Sequence, residues 1–321
     1  MMKVCEERSQ KENVLIRNGD CCVTFAPQLG GKIASIRVKD TEVLQPPLAP
    51  LGERTRTMPF DESDASGWDE CVPSVAACVL EAGGARIEVP DHGDVWRVAW
   101  ETIAESANSL TLRTRCFSLP LEMVRKGELA KTSRGWRLHL DYTMTNRGDA
   151  TIPWSWCAHP LFDVAPGDQI ELPPSVSHLR LEGSGGGRLG KGGATVQWPM
   201  AQLVDGSTSD LRMVQPVASG TGDKLFAGPL SPSEGWCTLH RPAAGLSLRM
   251  SFDVTKTPYL GLWLCYGGWP DRSGPKQNCV ALEPATAPVD SLAQTGPWSR
   301  TLAPGSFCSW TMAVEFELVE S

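Results

Sequence analysis

The protein has 321 residues, of which 41% are hydrophobic and 21% are charged, and its formal net charge is −7. This profile is that of a soluble globular chain, and an acidic balance with scattered basic residues argues against a nucleic-acid partner. The charged N-terminal segment lacks the apolar stretch of a secretory signal, and no run reaches the roughly 18 apolar residues of a spanning helix, so we expect a cytoplasmic protein with no membrane partner.

Alternation of apolar and polar residues predicts β-strands along most of the chain. In WRLHLDYTMT at 136–145, every second residue from Trp136 to Met144 is apolar and the residues between are polar. The same signal occurs, in chain order, in SLTLRTRCF at 109–117, LSLRMSFDV at 246–254, YLGLWLCY at 259–266 and WTMAVEFELV at 310–319. Because 31 glycines and 25 prolines punctuate the chain, only short helical turns are expected, for example near 290–294. The sequence therefore predicts an all-β fold, a large antiparallel β-sandwich.

The glycine-rich segment GSGGGRLGKGG at 183–193 is the main candidate for a linker. It contains the spacings G-x-G-x-x-G and G-x-x-x-x-G-K, which bind phosphate where a helix follows them. Here the short strand ATVQWP follows, and Gly192 stands where a phosphate loop has Ser or Thr. We therefore interpret the segment as a hairpin tip and expect a single domain over 1–321.

The 11 cysteines do not form a recognisable metal or disulfide pattern. Their number is odd, their spacing is irregular, and no C-x-x-C pair occurs. In a cytosolic chain such residues usually pack as small hydrophobic side chains. We expect no structural zinc and no other metal.

Six short segments place polar or aromatic side chains inside otherwise apolar sequence. In chain order they are ASGWDECVPS at 65–74, PDHGDVW at 90–96, WCAHPLF at 156–162, TGDKLF at 221–226, LWLCYGGWP at 262–270 and CVALEPAT at 279–286. Each has a structural explanation when taken alone: His159 as a satisfied core imidazole, His92 as a turn cap, Glu283 as the partner of a nearby arginine, and Asp223 with Lys224 as a solvated hairpin.

Taken together, these segments suit a cavity for an uncharged, polyhydroxylated ligand. Carboxylates and imidazoles form hydrogen bonds with hydroxyl groups in both senses, and the indoles of Trp263 and Trp269 can pack on the C–H faces of a sugar ring. Chemistry on such a ligand at neutral pH needs an acid and a base on opposite sides of the reacting atoms. A protonated histidine and an ionised glutamate can supply that pair.

The segments resemble, in the same order, the motifs of the aldose 1-epimerases of the galactose mutarotase-like superfamily. The resemblance runs from APQLGGKIASIRV at 26–38, through the GWDEC, DHGDVW, AHPLF, DKLF, YLGLWLCYGGWP and ALEP segments, to LAPGSFCSWTM at 302–312. It looks closest to a branch of bacterial members that carry the GWDEC and ALEP versions. The resemblance implies a large antiparallel β-sandwich and interconversion of sugar anomers.

The resemblance also implies a role for individual residues. Glu283 corresponds to the general base that takes the proton of the anomeric hydroxyl, and His159 to the general acid that protonates the ring oxygen. His92 matches a second histidine near the reacting oxygens, and Asp223 matches an aspartate that holds sugar hydroxyls. A sugar is the implied partner, and no metal or organic cofactor is implied.

One position departs from the family pattern. Well-studied mutarotases have a sugar-contacting arginine where this chain reads GWDEC, so Asp69 or Glu70 is expected to line the pocket instead. Arg97 and Lys224 lie near the motifs and leave a hexose-6-phosphate mutarotase as an alternative. Two further alternatives stay open, a carbohydrate-binding or regulatory protein without turnover and a lyase or hydrolase on the same scaffold. The sugar and the oligomeric state are not determined by the sequence.

Overall fold

A computed structural model of the protein describes residues 13–82 and 84–319, and their regular structure is almost entirely antiparallel β-strand. Residues 1–12, on which the expectation of no secretory signal mainly rests, lie outside the described residues. None of the helices in the described ranges is long and apolar enough to cross a membrane.

The larger of the two main sheets has 11 strands. They are β1 Val14–Asn18, β2 Cys21–Ala26, β3 Lys32–Val38, β4 Thr41–Glu42, β5 Trp68–Cys71, β13 Cys157–Asp163, β15 His178–Ser184, β16 Thr195–Gln197, β19 Thr221–Ala227, β22 Tyr259–Tyr266 and β23 Asn278–Ala285. Across the sheet the order is β1-β2-β3-β5-β13-β23-β22-β19-β15-β16, and β4 pairs with β3. Strands that are distant in the chain thus become neighbours at the centre of this sheet.

The second main sheet has eight strands. They are β8 Glu101–Glu105, β9 Ser109–Arg115, β10 Leu121–Lys131, β11 Gly135–Asn146, β14 Gln169–Glu171, β20 Trp236–Arg241, β21 Leu246–Phe252 and β25 Phe307–Leu318. Their order is β14-β20-β21-β25-β11-β10-β9-β8. The middle third and the C-terminal part of the described chain therefore meet in one sheet, where β11 pairs with β25.

The remaining elements are short. Three two-stranded pairs are β6 Cys78–Ala82 with β7 Ala85–Val89, β12 Ile152–Trp154 with β24 Arg300–Leu302, and β17 Met200–Gln202 with β18 Thr208–Asp210. Five 3-10 turns occupy Phe60–Glu62, Val95–Arg97, Gly185–Gly187, Val217–Ser219 and Pro242–Ala244. Near 290–294, where a short helical turn was expected, residues 291–294 form a single hydrogen-bonded turn, with the Gln294 N–H donating to the Ser291 carbonyl at 3.0 Å.

The all-β prediction is confirmed, and so are the strands predicted from alternation, which correspond to β9, β11, β21, β22 and β25. The glycine-rich segment is also a hairpin tip, since β15 and β16 on either side of it pair with each other. Proline and glycine account for this outcome, because they interrupt helical hydrogen bonding and leave short extended segments that need a partner strand.

One face of each main sheet packs against the other sheet. Val23, Ala158 and Leu264 of the 11-stranded sheet lie in the same buried cluster as Leu138 and Leu248 of the eight-stranded sheet. Because side chains alternate along a strand, the neighbours of these residues point to the opposite face. In the 11-stranded sheet that opposite face carries the polar residues considered next.

Candidate active site

A cavity of about 300 Å³ lies over the centre of the 11-stranded sheet, on the face that turns away from the other sheet. Leu262 and Leu264 of β22 point into the core between the sheets, so Trp263 between them points to the cavity, which it lines. The other lining residues that matter for chemistry come from five segments: Asp91, His92, His159, Lys224, Trp269, Gln277 and Asp290. The volume is at the lower end of the range for small-molecule sites.

Strand pairing brings His159 and Glu283 together. Cys157 of β13 lies opposite Ala285 of β23, and Leu161 lies opposite Ala281, so His159 and Glu283, midway between them, face each other. The imidazole Nε2 is 3.7 Å from the Glu283 Oε1 atom. That distance is too long for a direct hydrogen bond between the two side chains.

Lys224 fixes the Glu283 carboxylate. Its ammonium group, on β19, donates to the Glu283 Oε2 atom, and the Cys157 thiol lies 3.4 Å from the same oxygen. Gly261 of β22 is directly opposite Glu283, and a Cβ atom there would lie 2.7 Å from Oε2, so glycine leaves the space that the carboxylate fills. The other oxygen, Oε1, has no hydrogen-bond partner among the described residues.

His92 reaches the cavity from the turn that follows β7. Its backbone has φ = 57°, an unusual value that histidine tolerates better than most residues, and the next residue, Gly93, has no room for a Cβ atom, which would lie 2.0 Å from the Val72 carbonyl oxygen. The imidazole stacks on Phe60, with ring centroids 3.8 Å apart, and its Nδ1 is 2.8 Å from the Asp91 carboxylate. These contacts hold the ring edge-on to His159, at a centroid distance of 5.3 Å.

Two tryptophans form much of the apolar wall. The Trp263 indole donates a hydrogen bond of 2.9 Å to the Gln277 side-chain oxygen, which fixes the orientation of the ring. Trp269 lies beside Phe60, at a centroid distance of 6.0 Å. The cavity therefore combines aromatic surface with imidazole, carboxylate and amide groups, which is a suitable lining for a sugar.

The electrostatics of the cavity follow from burial and from a few charges. Burial, followed by repulsion from His92 and Lys224, lowers the pKa of His159 well below 6.5, so its resting imidazole is neutral at neutral pH. Burial disfavours the Lys224 ammonium, but attraction to Glu283 and Asp290 outweighs it and raises the pKa of this lysine. The Lys224–Glu283 ion pair thus lies beside an imidazole, that of His159, which is neutral at neutral pH.

Within residues 13–82 and 84–319, no group of three or more His, Cys, Asp or Glu side chains is arranged to hold a metal ion. The acidic and basic groups of the cavity contact one another and the aromatic rings instead.

Comparison with known structures relates this arrangement to a known fold. Slr1438 from Synechocystis sp. PCC 6803 has a TM-score of 0.72 and 18% identity, over 99% of this chain and 100% of that chain. A galactose mutarotase-like protein from Lactobacillus casei has a TM-score of 0.64 and 17% identity, over 95% and 100%. The aldose epimerase homologue from C. elegans has a TM-score of 0.66 and 12% identity, over 96% and 99%. The fold is that of the galactose mutarotase-like proteins. No protein-family model and no curated protein sequence matches the chain.

On this mutarotase-like fold, His92, His159, Trp263 and Trp269 line one cavity, and the Glu283 carboxylate lies 3.7 Å from the His159 imidazole. Glu283 itself is fully buried, directly behind the cavity-lining residues His159 and Lys224.

Asp223 does not line the cavity, contrary to our expectation. It precedes Lys224 on β19 and so points to the opposite face of the sheet, where it is fully buried. The Ser184 hydroxyl donates to one of its oxygens at 2.6 Å, and the Arg188 guanidinium donates to the other. Asp223 thereby anchors the glycine-rich hairpin tip to the sheet, and its two oxygens are already engaged.

Glu70 also points away from the cavity, into the space between the sheets. It is fully buried and accepts hydrogen bonds from Arg125 and Tyr142, both at 3.0 Å, and from the Trp156 indole at 2.8 Å. The expectation that it lines the pocket is corrected because residue 70 of β5 pairs with Ala158, a core residue, and shares its face.

Asp69 lies on the same face as His159 but is enclosed by cations. Its carboxylate oxygens are 2.7 Å from the Lys32 ammonium and 2.9 Å from the Arg54 guanidinium, and it is not among the cavity-lining residues. Arg54 also contacts Asp64 and lies over the Trp96 ring. This buried ion cluster supports the cavity wall and does not replace the family arginine as a ligand-binding group.

Several residues that line the cavity were not predicted from the sequence. Among them, Asp290 comes from the segment after β23, and Phe60 comes from the 3-10 turn that precedes the ASGWDECVPS segment. The Asp290 backbone carbonyl accepts hydrogen bonds from the Val75 and Ala76 N–H groups at 2.9 and 2.8 Å, which fix this segment at the cavity. Only such long-range contacts bring Asp290 to the site, and no local pattern signals them.

Proposed function

We propose that the protein is an aldose 1-epimerase, which interconverts the α and β anomers of an aldose by opening and reclosing the sugar ring. The observation that carries the proposal is the pairing of Glu283 with His159, whose facing atoms lie 3.7 Å apart at a cavity with an aromatic wall. A carboxylate and an imidazole at this separation form an acid and base pair that one substrate can engage at two oxygens.

In the proposed reaction, the Glu283 Oε1 atom takes the proton of the anomeric hydroxyl while the C1–O5 bond breaks. His159 gives its proton to O5, so that the product is a neutral open-chain aldehyde. Rotation about the C1–C2 bond presents the other face of the carbonyl, and the reverse proton transfers close the ring as the other anomer. Each turnover restores both protein groups to their starting protonation states.

The reactive form of the pair carries one proton, on the imidazole. Because burial lowers the pKa of His159 well below 6.5, this form is a minority species at neutral pH. Its population increases as the pH falls toward that pKa.

Lys224 acts in this scheme as a positioning residue for Glu283. Its ammonium contacts the Oε2 atom and so keeps the Oε1 atom turned toward His159. His92, oriented by Asp91 and Phe60, is placed to bind a substrate oxygen beside His159.

Polarimetry tests the proposal directly. Freshly dissolved single anomers of several aldoses should reach equilibrium faster with the protein than in buffer alone. The proposal fails if, at protein concentrations at which sugar binding is saturated, no aldose equilibrates faster than it does in buffer alone.

The burial of Glu283 favours a second candidate, a sugar-binding protein without turnover. The carboxylate has no exposed surface and is ion-paired with Lys224, an arrangement that also suits a structural charge pair. Calorimetric binding of a sugar without any acceleration of anomer exchange would support this candidate over the epimerase.

A further inference from the structure

The three aspartates that line the cavity, Asp61, Asp91 and Asp290, are an unusual feature of its lining. The lining contains one lysine, Lys224, and its charge is matched by Glu283 behind it. Since the resting His159 is neutral, the carboxylates leave an excess of negative charge around any bound molecule.

Of these three aspartates, Asp290 is the one with a buried carboxylate oxygen that accepts no hydrogen bond within the described residues. Asp91 is engaged with His92 at 2.8 Å. The Asp290 Oδ1 atom is buried and accepts no hydrogen bond within the described part of the chain, and the Lys224 ammonium lies 3.8 Å away, beyond hydrogen-bond distance. A buried oxygen without a donor is costly unless a ligand or water supplies one.

Two further orphaned atoms lie at the same cavity. The His159 Nδ1 and the Glu283 Oε1 atoms also have no hydrogen-bond partner among the described residues, although both side chains are at least nine-tenths buried. His159 and Asp290 line the cavity, and Glu283 lies next to His159, so three residues at this site retain unused hydrogen-bonding capacity where the epimerase proposal places the sugar.

The nearby cations are not free to receive an anion. Arg97 donates to the backbone carbonyls of Met58, Asp91 and Gly93 and is buried. At the rim, the exposed Arg272 guanidinium donates to the Asp61 carbonyl, and Lys276 donates to the carbonyls of Pro270 and Arg272. The cavity therefore presents carboxylate acceptors to a ligand, whereas the nearby arginine and lysine side chains already donate to backbone carbonyls.

We propose that Asp290 is a specificity-determining residue that binds a hydroxyl or amino group of the substrate and selects uncharged or cationic amino sugars over anionic ones. This inference rests on the proposed function for the identity of the ligand as a sugar. A carboxylate accepts a charge-assisted hydrogen bond from an ammonium group and repels a phosphate or carboxylate at the same position.

The protonation state of Asp290 is consistent with that role. Burial raises its pKa to about 6, against the opposing attraction of Lys224. The carboxylate is therefore mainly ionised at neutral pH and mainly protonated below that value, so the selectivity should weaken in acid.

The test measures binding of three matched sugars, glucose, glucosamine and glucose 6-phosphate, by calorimetry at neutral pH. The wild-type protein should bind glucosamine or glucose at least tenfold more tightly than glucose 6-phosphate. Asp290→Asn, which keeps the shape of the side chain and all its backbone contacts, should reduce that ratio by about tenfold or more, the range expected for a hydrogen bond to a charged group. Asp40→Asn, at the exposed turn between β3 and β4, removes the same charge outside the cavity lining and should leave the ratio unchanged.

The outcomes separate this inference from the proposed function. An unchanged ratio in Asp290→Asn, a wild-type preference for glucose 6-phosphate, or no binding of any of the three sugars would overturn the inference. Anomer exchange together with an unchanged ratio would overturn the inference alone. The expected change in ratio without anomer exchange would support the inference and contradict the epimerase proposal.

Discussion

Replacing Lys224 by methionine should destabilise the protein more than any simple loss of a surface charge. The Lys224 side chain is 10% exposed and Glu283 is not exposed, so the substitution leaves a buried carboxylate without its cation. Breaking a buried ion pair from one side costs about 3–5 kcal/mol, because the remaining charge keeps its desolvation penalty. Among the described residues, the Cys157 thiol, 3.4 Å from Oε2, would be the one hydrogen-bond donor left to the carboxylate.

Urea denaturation, followed by the fluorescence of the 12 tryptophans, measures this change. The double variant Lys224→Met/Glu283→Gln should be more stable than Lys224→Met alone, since it removes the unpaired charge as well. Lys126→Met is a matched control, because Lys126 also lies on a strand and pairs with a carboxylate, Glu128, but both side chains are exposed. The reasoning is refuted if Lys224→Met destabilises no more than Lys126→Met, or if the double variant is no more stable than Lys224→Met.

Three further predictions concern single residues and pH. His159→Asn should keep the free energy of unfolding within about 1 kcal/mol of wild type and should slow anomer exchange by about 10²-fold or more. If His159 had a core role instead, the larger loss would be in stability. Asp223→Asn should lower stability by about 1–3 kcal/mol, because it weakens the buried contacts to Ser184 and Arg188, and should leave the sugar KM within about twofold of wild type; a large KM increase at unchanged stability would restore Asp223 to the binding site. The kcat/KM of anomer exchange should rise as the pH falls from 7 into the region below 6.5, since the pKa of His159 is lowered and its protonated form is the acid; a maximum above pH 7 would contradict that assignment.

Period-2 patterns were sufficient to predict the all-β class and the long strands. In β11 and β25, for example, apolar residues alternate with polar ones because one face packs on the core. The pairing of strands was not accessible in the same way. Nothing local indicates that β13 lies between β5 and β23, or that β19 pairs with β22, because these contacts join segments far apart in the chain.

The same limit explains which site residues could be predicted. His159 and Glu283 lie in motif segments, and the register of β13 with β23 is what brings them into contact. Adjacent residues of one motif, in contrast, lie on opposite faces of their strand. Asp223 and Lys224 are adjacent in DKLF, and Asp223 contacts the hairpin tip whereas Lys224 lines the cavity. Likewise, Asp69 and Glu70 point to opposite faces of β5. The motifs therefore identified segments that reach the cavity, and the face of the strand on which a residue lies determines whether it lines the cavity.

Gly261 marks the position of Glu283 in the sheet, although its local sequence does not indicate this. Gly261 sits in the middle of β22, where glycine is usually unfavourable. It is opposite Glu283, and the absence of a side chain provides the volume for the carboxylate and its lysine partner. A glycine in an otherwise apolar strand thus indicated a bulky or polar neighbour on the next strand, and that neighbour could be identified only once the strand pairing was known.

The central claim is that Glu283 is the base in an exchange of sugar anomers, and exchange spectroscopy by proton NMR tests it most directly. The rate at which α and β anomers interconvert should rise with the concentration of wild-type protein, and Glu283→Gln should lower the protein-dependent rate by roughly 10²–10⁴-fold, the usual contribution of a general base, while still binding sugar. A protein-dependent rate that is unchanged in Glu283→Gln would contradict the account.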